Sequence, residues 1–349
     1  MSEKGYYITH LRLLLIITPE LSSFEVIEDD SHLFPRIDVM NRNICFSNST
    51  PAYLALLQFG SPNLATLYLL LFKAASHHQY ELANQLIEKA EKLFLEEKLS
   101  MIPKCQQAGA MITCEMLFLF YHEIAHGIFA TNKVVKDDYF KLVPDSDIHF
   151  YIDNTLTLFR IDNDSLKKRL YELSVIPARK EEMAADIYAI FKWLKYAENN
   201  AHGGLQDFHF NNLLFSVLGV YLTHSHFQNL ELYMADKNHK FDLDEEFLLI
   251  YIRKFFIVNK ISEFIRNQNN KPDFEEVQNE IEKILNLNNF QDNCVSALKE
   301  FSDIIENIKD LGTQYSSRRQ RDGFKEKIEM FNSQILDLPE VFPPYKNYK

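Results

Sequence analysis

The residues best suited to chemistry in this sequence form the pentapeptide His122-Glu123-Ile124-Ala125-His126. On a helix, two histidines four positions apart lie on one face, so both imidazoles can reach the same ion. The surrounding segment 106–130 is apolar on nearly all sides, which predicts a buried helix. Glu123 would then stand beside the ion, where its carboxylate can take a proton from water. The simpler alternative is a buried helix that carries two hydrogen-bonded histidines.

A second acidic pattern lies downstream, in the segment Arg179-Lys-Glu-Glu-Met-Ala-Ala-Asp186. It follows Pro177 closely, and proline is well tolerated in the first turn of a helix, so a helix is predicted from this point. Glu182 and Asp186 are four residues apart and therefore share one face of that helix.

The two patterns together predict a single metal centre. Two histidines and one glutamate leave a fourth position on zinc open for water, which is the hydrolytic arrangement. We therefore predict that His122, His126 and Glu182 bind Zn²⁺. Asp186 is predicted to accept the outer N–H of His122 and to fix its tautomer. The adjacent Glu181 is expected to be an ordinary solvated carboxylate.

The motif HEIAH followed by EMAAD resembles the gluzincin zinc peptidases, whose two motif helices supply two histidines and a glutamate. The surroundings look most similar to the phage-exclusion Lit-like peptidases, and the resemblance covers about residues 110–245. It implies a zinc-dependent endopeptidase that hydrolyses peptide bonds in a protein substrate. It also implies a bacterial anti-phage or host-conflict setting.

The same family has a Thr-His-Pro segment, followed by an arginine, after the next apolar helix. Two segments stand in its place here, Thr223–His226 and Asn238–Lys240, and neither has the proline or the arginine. A histidine in this position stabilises the oxyanion of the tetrahedral intermediate. The resemblance implies this catalytic role for His239, which lies between two predicted helices. His224 and His226, inside a predicted helix, are the alternatives.

Hydrophobic periodicity predicts the elements that position these residues. Residues 23–48 alternate β-branched and polar side chains between turn signals, which predicts a small hairpin or edge sheet. From residue 50 onward, apolar residues recur three and four positions apart, as in amphipathic helices. Residues 131–162 are expected to form an irregular insertion with a strand in Ile148–Ile152. Further helices are predicted near 164–174, 178–198, 212–236 and 242–267.

A polar segment that ends in a proline, residues 266–272, predicts a boundary near residue 270. We predict a mainly α (α+β) chain in which residues 1–270 form a zincin-like metallopeptidase domain. This domain has a helical core and a small N-terminal β-sheet. Residues 271–349 are predicted to form a helical C-terminal region without visible chemistry. The alternative function is a non-catalytic, zinc-stabilised helical interaction protein.

The composition of this 349-residue chain limits the classes of partner that it is expected to bind. Its formal net charge of −12 repels phosphate backbones, so nucleic-acid binding is excluded as the main role. The resemblance to zinc peptidases implies a protein or peptide substrate instead. Four widely spaced cysteines without a CxxC pair predict free thiols and a cytoplasmic location. The apolar run Leu11–Ile17 is too short to span a bilayer, so no integral membrane segment is predicted.

Overall fold

The computed structural model describes residues 12, 23–29, 32–59, 61–97, 106–158, 160–200, 226, 229–231, 233, 234, 245–266, 293 and 296–336. The chain is mainly helical with a small N-terminal sheet, which confirms the predicted fold class at this level. The strands are β1 (Glu25–Glu28), β2 (Arg36–Asp38) and β3 (Asn43–Phe46). The helices are α1 (Ser49–Phe59), α2 (Pro62–Ser76), α3 (Tyr80–Glu96), α4 (Gln106–Thr131), α5 (Lys133–Phe140), α6 (Asp145–Leu158), α7 (Asp164–Ser174), α8 (Pro177–Asn200), α9 (Glu245–Arg266), α10 (Ser302–Leu311) and α11 (Arg318–Ile335).

The small sheet has β3 at its centre, with β1 parallel to it and β2 antiparallel to it. The hairpin predicted within residues 23–48 is the β2–β3 pair. Its turn is closed by Asp38, whose carboxylate accepts hydrogen bonds from the backbone N–H of Asn41 at 3.0 Å and from the Asn41 side chain at 2.7 Å. Arg42 completes the turn with a φ of 54°. Because β3 is the central strand, β2 lies at an edge of the described sheet.

Gly127 lets the sheet lie close to the helix that carries the HEIAH motif. Both β2 and β3 pack on α4. A Cβ atom built at Gly127 would lie 2.3 Å from Cζ of Phe24 and 2.6 Å from Cδ1 of Ile37. These separations are far below van der Waals contact, so the sheet approaches α4 because this position has no side chain.

The helical core is built around the packing of α4 on α8. Ala125 on α4 and Ala185 on α8 are fully buried, and small side chains allow packed helices to approach closely. Helix α9 also packs against α8 and contacts α6 and α7. Among the described helices, none has the length and apolar character needed to cross a membrane.

The irregular insertion with a strand predicted for residues 131–162 is wrong, because two helices, α5 and α6, occupy this region. Asp145 and Asp147 lie in the first turn of α6, where negative charge favours a helix. The apolar residues of the supposed strand recur at helical spacing, and one face of α6 is buried accordingly. That face consists of Ile148, Tyr151, Ile152, Thr155 and Leu156.

The C-terminal helices pack on the N-terminal ones and share their core. Helix α11 lies against α1 and α3, and α10 lies against α2. Asn332 on α11 donates a hydrogen bond to Oγ of Ser49 at 2.9 Å, and Gln79 donates one to the carbonyl of Ile308 at 2.8 Å. The boundary predicted near residue 270 lies outside the described residues and stays a prediction.

We predict that Gly127→Ala destabilises the protein although alanine favours helices. Phe24 and Ile37 must move to admit the new methyl group, and overpacking of this kind costs about 1–3 kcal/mol. Gly323→Ala in α11 is the matched control, because a Cβ atom there meets nothing within 4 Å. It should instead stabilise the protein by about 0.5–1 kcal/mol. Chemical denaturation measures both changes, and equal effects at the two positions would contradict the close approach at Gly127.

Candidate metal centre

Helix α4 presents the two histidines on the side that faces α8. His122 is buried and His126 is half-buried, and their ring centroids lie 4.8 Å apart. Phe118, one turn before His122, stacks on its ring with a centroid distance of 6.3 Å. Because the histidines are four residues apart, the helix itself places one imidazole above the other.

Helix α8 presents the acidic residues to the same space. It begins at Pro177 as predicted, and the run Met183–Ile190 is buried against its neighbours. Glu182 lies at the solvent end of this run and stays partly exposed, whereas Asp186 is one turn further on and fully buried. One carboxylate is therefore at the mouth of the site and the other is in the interior.

The inner nitrogens of both histidines and the Glu182 carboxylate converge on one point. Nε2 of His122 lies 3.1 Å from Nε2 of His126. One Glu182 oxygen lies 3.4 Å from Nε2 of His122, and the other lies 3.3 Å from Nε2 of His126. Zinc–ligand bonds of about 2.0–2.1 Å at a tetrahedral angle separate neighbouring ligand atoms by about 3.3–3.4 Å. The three side chains thus fit the donor set and the spacing of a tetrahedral zinc ion.

Among the described residues, the three predicted ligands are the ones whose side chains cluster closely enough to share one ion. Their ligand atoms all lie within 4.8 Å of one another. In the part of the chain that the structure describes, no other group of three or more His, Cys, Asp or Glu side chains is close enough to share an ion.

Asp186 stands behind His122, as the sequence predicts. Its Oδ1 lies 2.8 Å from Nδ1 of His122, a short contact that is not linear. A carboxylate at the outer nitrogen favours the tautomer in which Nδ1 carries the proton. The lone pair of Nε2 then faces the proposed ion.

Glu181 stands behind His126, so the expectation of a solvated carboxylate is wrong. Its Oε1 lies 3.4 Å from Nδ1 of His126. Its second oxygen, Oε2, forms an ion pair with Lys136 on α5. Both imidazoles therefore have a carboxylate at the outer nitrogen, and the sequence predicts only one of the two.

Arg253 on α9 is a further member of the site that sequence analysis missed. Its Nε and one terminal nitrogen donate hydrogen bonds to the two oxygens of Asp186 at 2.6 and 2.7 Å. Its other terminal nitrogen lies 3.1 Å from the Glu182 carboxylate. The signal was the charged pair Arg253-Lys254 in the middle of an otherwise apolar run, because a charge in such a run needs a buried partner.

The charges of the site favour ionised carboxylates. Burial opposes the charge on Glu182 and on Asp186, but Arg253 and the imidazoles outweigh burial and hold the pKa of both carboxyls well below the usual range. Burial also opposes the charge on His122, yet contacts with Asp186 and Glu182 raise its pKa to about 10. The same carboxylates attract a metal cation, which takes the place of the proton on a ligand nitrogen.

Glu123 lies beside the ligands and next to the edge strand. It is partly buried, and burial raises the pKa of its carboxyl, with the charge of Glu182 acting in the same direction. The two histidines and a hydrogen bond from the backbone N–H of Ile37 act the other way. Since Ile37 lies on β2, the sheet is anchored to the residue predicted to be the general base.

The structure leaves the predicted oxyanion residue untested. His224 and His239 lie outside the described residues. His226 is buried, and its Nδ1 lies 2.7 Å from the Tyr53 hydroxyl while its Nε2 lies 3.0 Å from the Thr66 hydroxyl. Both ring nitrogens are thus engaged with α1 and α2, which is the environment of a core histidine. Burial lowers its pKa to about 3.

Comparison of the chain with protein-family models, with curated proteins and with solved structures found no match. The resemblance of HEIAH and EMAAD to gluzincins therefore stays a prediction. The chemistry of the site rests on the positions of its own side chains.

We predict that Glu182→Gln lowers the affinity for zinc by more than about 100-fold, because a neutral amide replaces the charged ligand. Glu181→Gln is the matched control at the preceding position, where the carboxylate contacts an imidazole instead of the ion. It should lower the affinity by only about 10-fold. Competition with a chromophoric chelator measures both constants. Equal losses in the two variants would contradict the assignment of Glu182 as a ligand.

We also predict that His226 makes the protein sensitive to acid. The histidine pKa is 6.5 in the unfolded chain and about 3 in the folded protein. As the pH falls from 6.5 toward 3, the unfolded state binds the proton first, and the free energy of unfolding decreases by an amount on the order of 4 kcal/mol. His226→Gln cannot titrate and should lose less stability over this range. Urea denaturation with chelator present tests this, and parallel pH profiles would contradict it.

Proposed function

We propose that this protein is a zinc-dependent endopeptidase in which His122, His126 and Glu182 bind the ion and Glu123 is the general base. The observation that carries this proposal is the convergence of the two Nε2 atoms and the Glu182 carboxylate at separations of 3.1–3.4 Å. A bound zinc ion supplies a Lewis acid that polarises a peptide carbonyl and lowers the pKa of water toward neutrality. Three protein ligands leave one position for the reacting groups.

The environment of Glu123 suits a general base. Burial raises the pKa of its carboxyl, so the group holds a proton more readily than a solvated glutamate does. We expect Glu123 to accept a proton from the attacking water and to pass it to the leaving amine. The N–H of Ile37 keeps the carboxylate in a fixed orientation while it does so.

The edge strand β2 is suited to hold a peptide substrate. It pairs with β3 on one side, and its Ile37 N–H reaches Glu123 on the side away from the sheet. An extended peptide can bind to a strand edge through main-chain hydrogen bonds, and because Glu123 already accepts the Ile37 N–H, the carbonyl of Ile37 on the same side would have to accept one from the peptide. Such a peptide would pass next to Glu123, which supports a protein or peptide as the substrate. The net charge of −12 disfavours nucleic acid.

The resemblance to Lit-like peptidases extends the proposal to a bacterial protein that cleaves a host protein during conflict with phage. This setting, and the cytoplasmic location that goes with it, rest on the HEIAH and EMAAD motifs and on the cysteine pattern. Of the four cysteines, Cys45 on β3 is a free thiol in the described part of the chain.

We predict that Glu123→Gln binds zinc as the parent protein does and loses peptidase activity by at least about 100-fold, because the amide cannot accept the proton. Cells that express the parent should show new protein N-termini in a proteomic survey, and cells that express the variant should not. Zinc content of the purified proteins shows whether the site is intact in both.

Two results would overturn the proposal in different ways. The same set of new N-termini in both cultures would exclude Glu123 as the base. Stoichiometric zinc in the parent without any new N-termini would favour the alternative, a zinc-stabilised interaction protein.

A further inference from the structure

The two imidazoles of the metal centre share one arrangement. A carboxylate lies next to the outer nitrogen of each imidazole. Each carboxylate forms an ion pair with a cation from another helix, Asp186 with Arg253 and Glu181 with Lys136. We propose that Lys136 is a positioning residue of the metal centre that acts through Glu181 on His126. This inference rests on the proposed function, because it requires that His126 binds the ion.

The two oxygens of the Glu181 carboxylate contact different partners. One oxygen lies 3.4 Å from Nδ1 of His126, and the other is paired with Nζ of Lys136. A carboxylate held at both oxygens has little freedom to rotate. It keeps one acceptor directed at Nδ1, so the proton stays on Nδ1 and the lone pair of Nε2 faces the ion. The 3.4 Å contact at His126 is longer than the 2.8 Å contact between Asp186 and His122.

A stability role does not account for the pair. Lys136 and Glu181 are 30% and 25% exposed, and ion pairs near the surface contribute only about 0–1 kcal/mol. The orientation of a ligand imidazole is far more sensitive to such a contact. Loss of a partner behind a metal ligand changes metal affinity by about 10- to 100-fold.

Helix α5 delivers Lys136 to this position although none of its residues is fully buried. Asn132 caps the helix, since its side chain accepts a hydrogen bond from the N–H of Val135 at 3.2 Å. Tyr139 then packs its ring on Tyr188 of α8 at 5.3 Å and on Phe129 of α4 at 5.8 Å. The helix is thereby fastened to both helices of the metal site, with Lys136 one turn before the aromatic contact.

The decisive variant is Lys136→Met, which keeps the length of the side chain and removes its charge. Loss of a positive charge near a cation site would by itself strengthen zinc binding. Loss of positioning should weaken it, and we expect about 10-fold weaker binding. The opposite signs separate the two effects. Competition with a chromophoric chelator on the full chain measures the change.

Three further variants are measured in the same way as Lys136→Met. Lys133→Met, an exposed position on the same helix, should bind zinc as the parent does. Lys136→Arg, which keeps the charge, should restore most of the affinity. Lys136→Met placed on Glu181→Gln should add little to the loss caused by Glu181→Gln alone, because the two residues act in series. Cobalt(II) absorption spectra of the same proteins report changes in ligand geometry, which a merely structural role would not produce.

The outcomes distinguish this inference from the function on which it rests. Zinc affinity of Lys136→Met equal to or tighter than that of the parent overturns the role of Lys136, whatever the peptidase activity is. Ten-fold weaker binding in that variant supports it even if no peptide is cleaved. A parent that binds no zinc overturns both the role of Lys136 and the proposed enzyme.

Discussion

The close packing of α4 on α8 sets the geometry on which the rest of the site depends. A metal site of this kind needs ligand atoms from both helices within about 3.4 Å of one another. The fully buried Ala125 on α4 and Ala185 on α8 directly precede His126 and Asp186 and add little side-chain bulk beside these site residues. Larger residues there would push the helix axes apart, and a displacement of 1 Å is enough to disrupt a catalytic arrangement. The same constraint recurs at Gly127, where the sheet meets α4 on another side.

The second constraint is electrostatic, since the packing buries charged groups. A buried carboxylate is costly unless it is paired and hydrogen-bonded. Asp186 meets this condition through two hydrogen bonds from Arg253 and the contact with His122. Burial of such a pair is weak evidence for stability, because apolar residues of the same volume often stabilise a protein equally well. The network is better explained by the proposed metal ligands that it orients, and it joins α9 and α5 to the two motif helices.

The sequence was sufficient to predict which side chains lie together when that depends only on the periodicity of a single helix. The spacing of four residues was sufficient to place His122 with His126 and Glu182 with Asp186, because it fixes which side chains share a face. Arg253 and Lys136 were missed, because their contacts depend on how α9 and α5 pack in three dimensions. Ile148–Ile152 was assigned to a strand because five residues are too few to separate a period of two from one of 3.6. The approach of β2 to Glu123 has no local signal either.

The exposed fraction of the site's side chains increases from the interior to the surface. This indicates from which side a large substrate of the proposed enzyme could reach them. The side chains of Asp186, His122, His126 and Glu182 are 0%, 7%, 17% and 41% exposed. Asp186 is held by Arg253 inside the core, whereas Glu182, which Arg253 also contacts, is partly exposed to solvent. The residues that would hold an ion are thus most exposed on the side of Glu182, whereas Asp186 and its partners fill the buried side. A protein substrate of the proposed peptidase could therefore approach along the exposed side without entering the core, and the buried side would hold the proposed ligands in place.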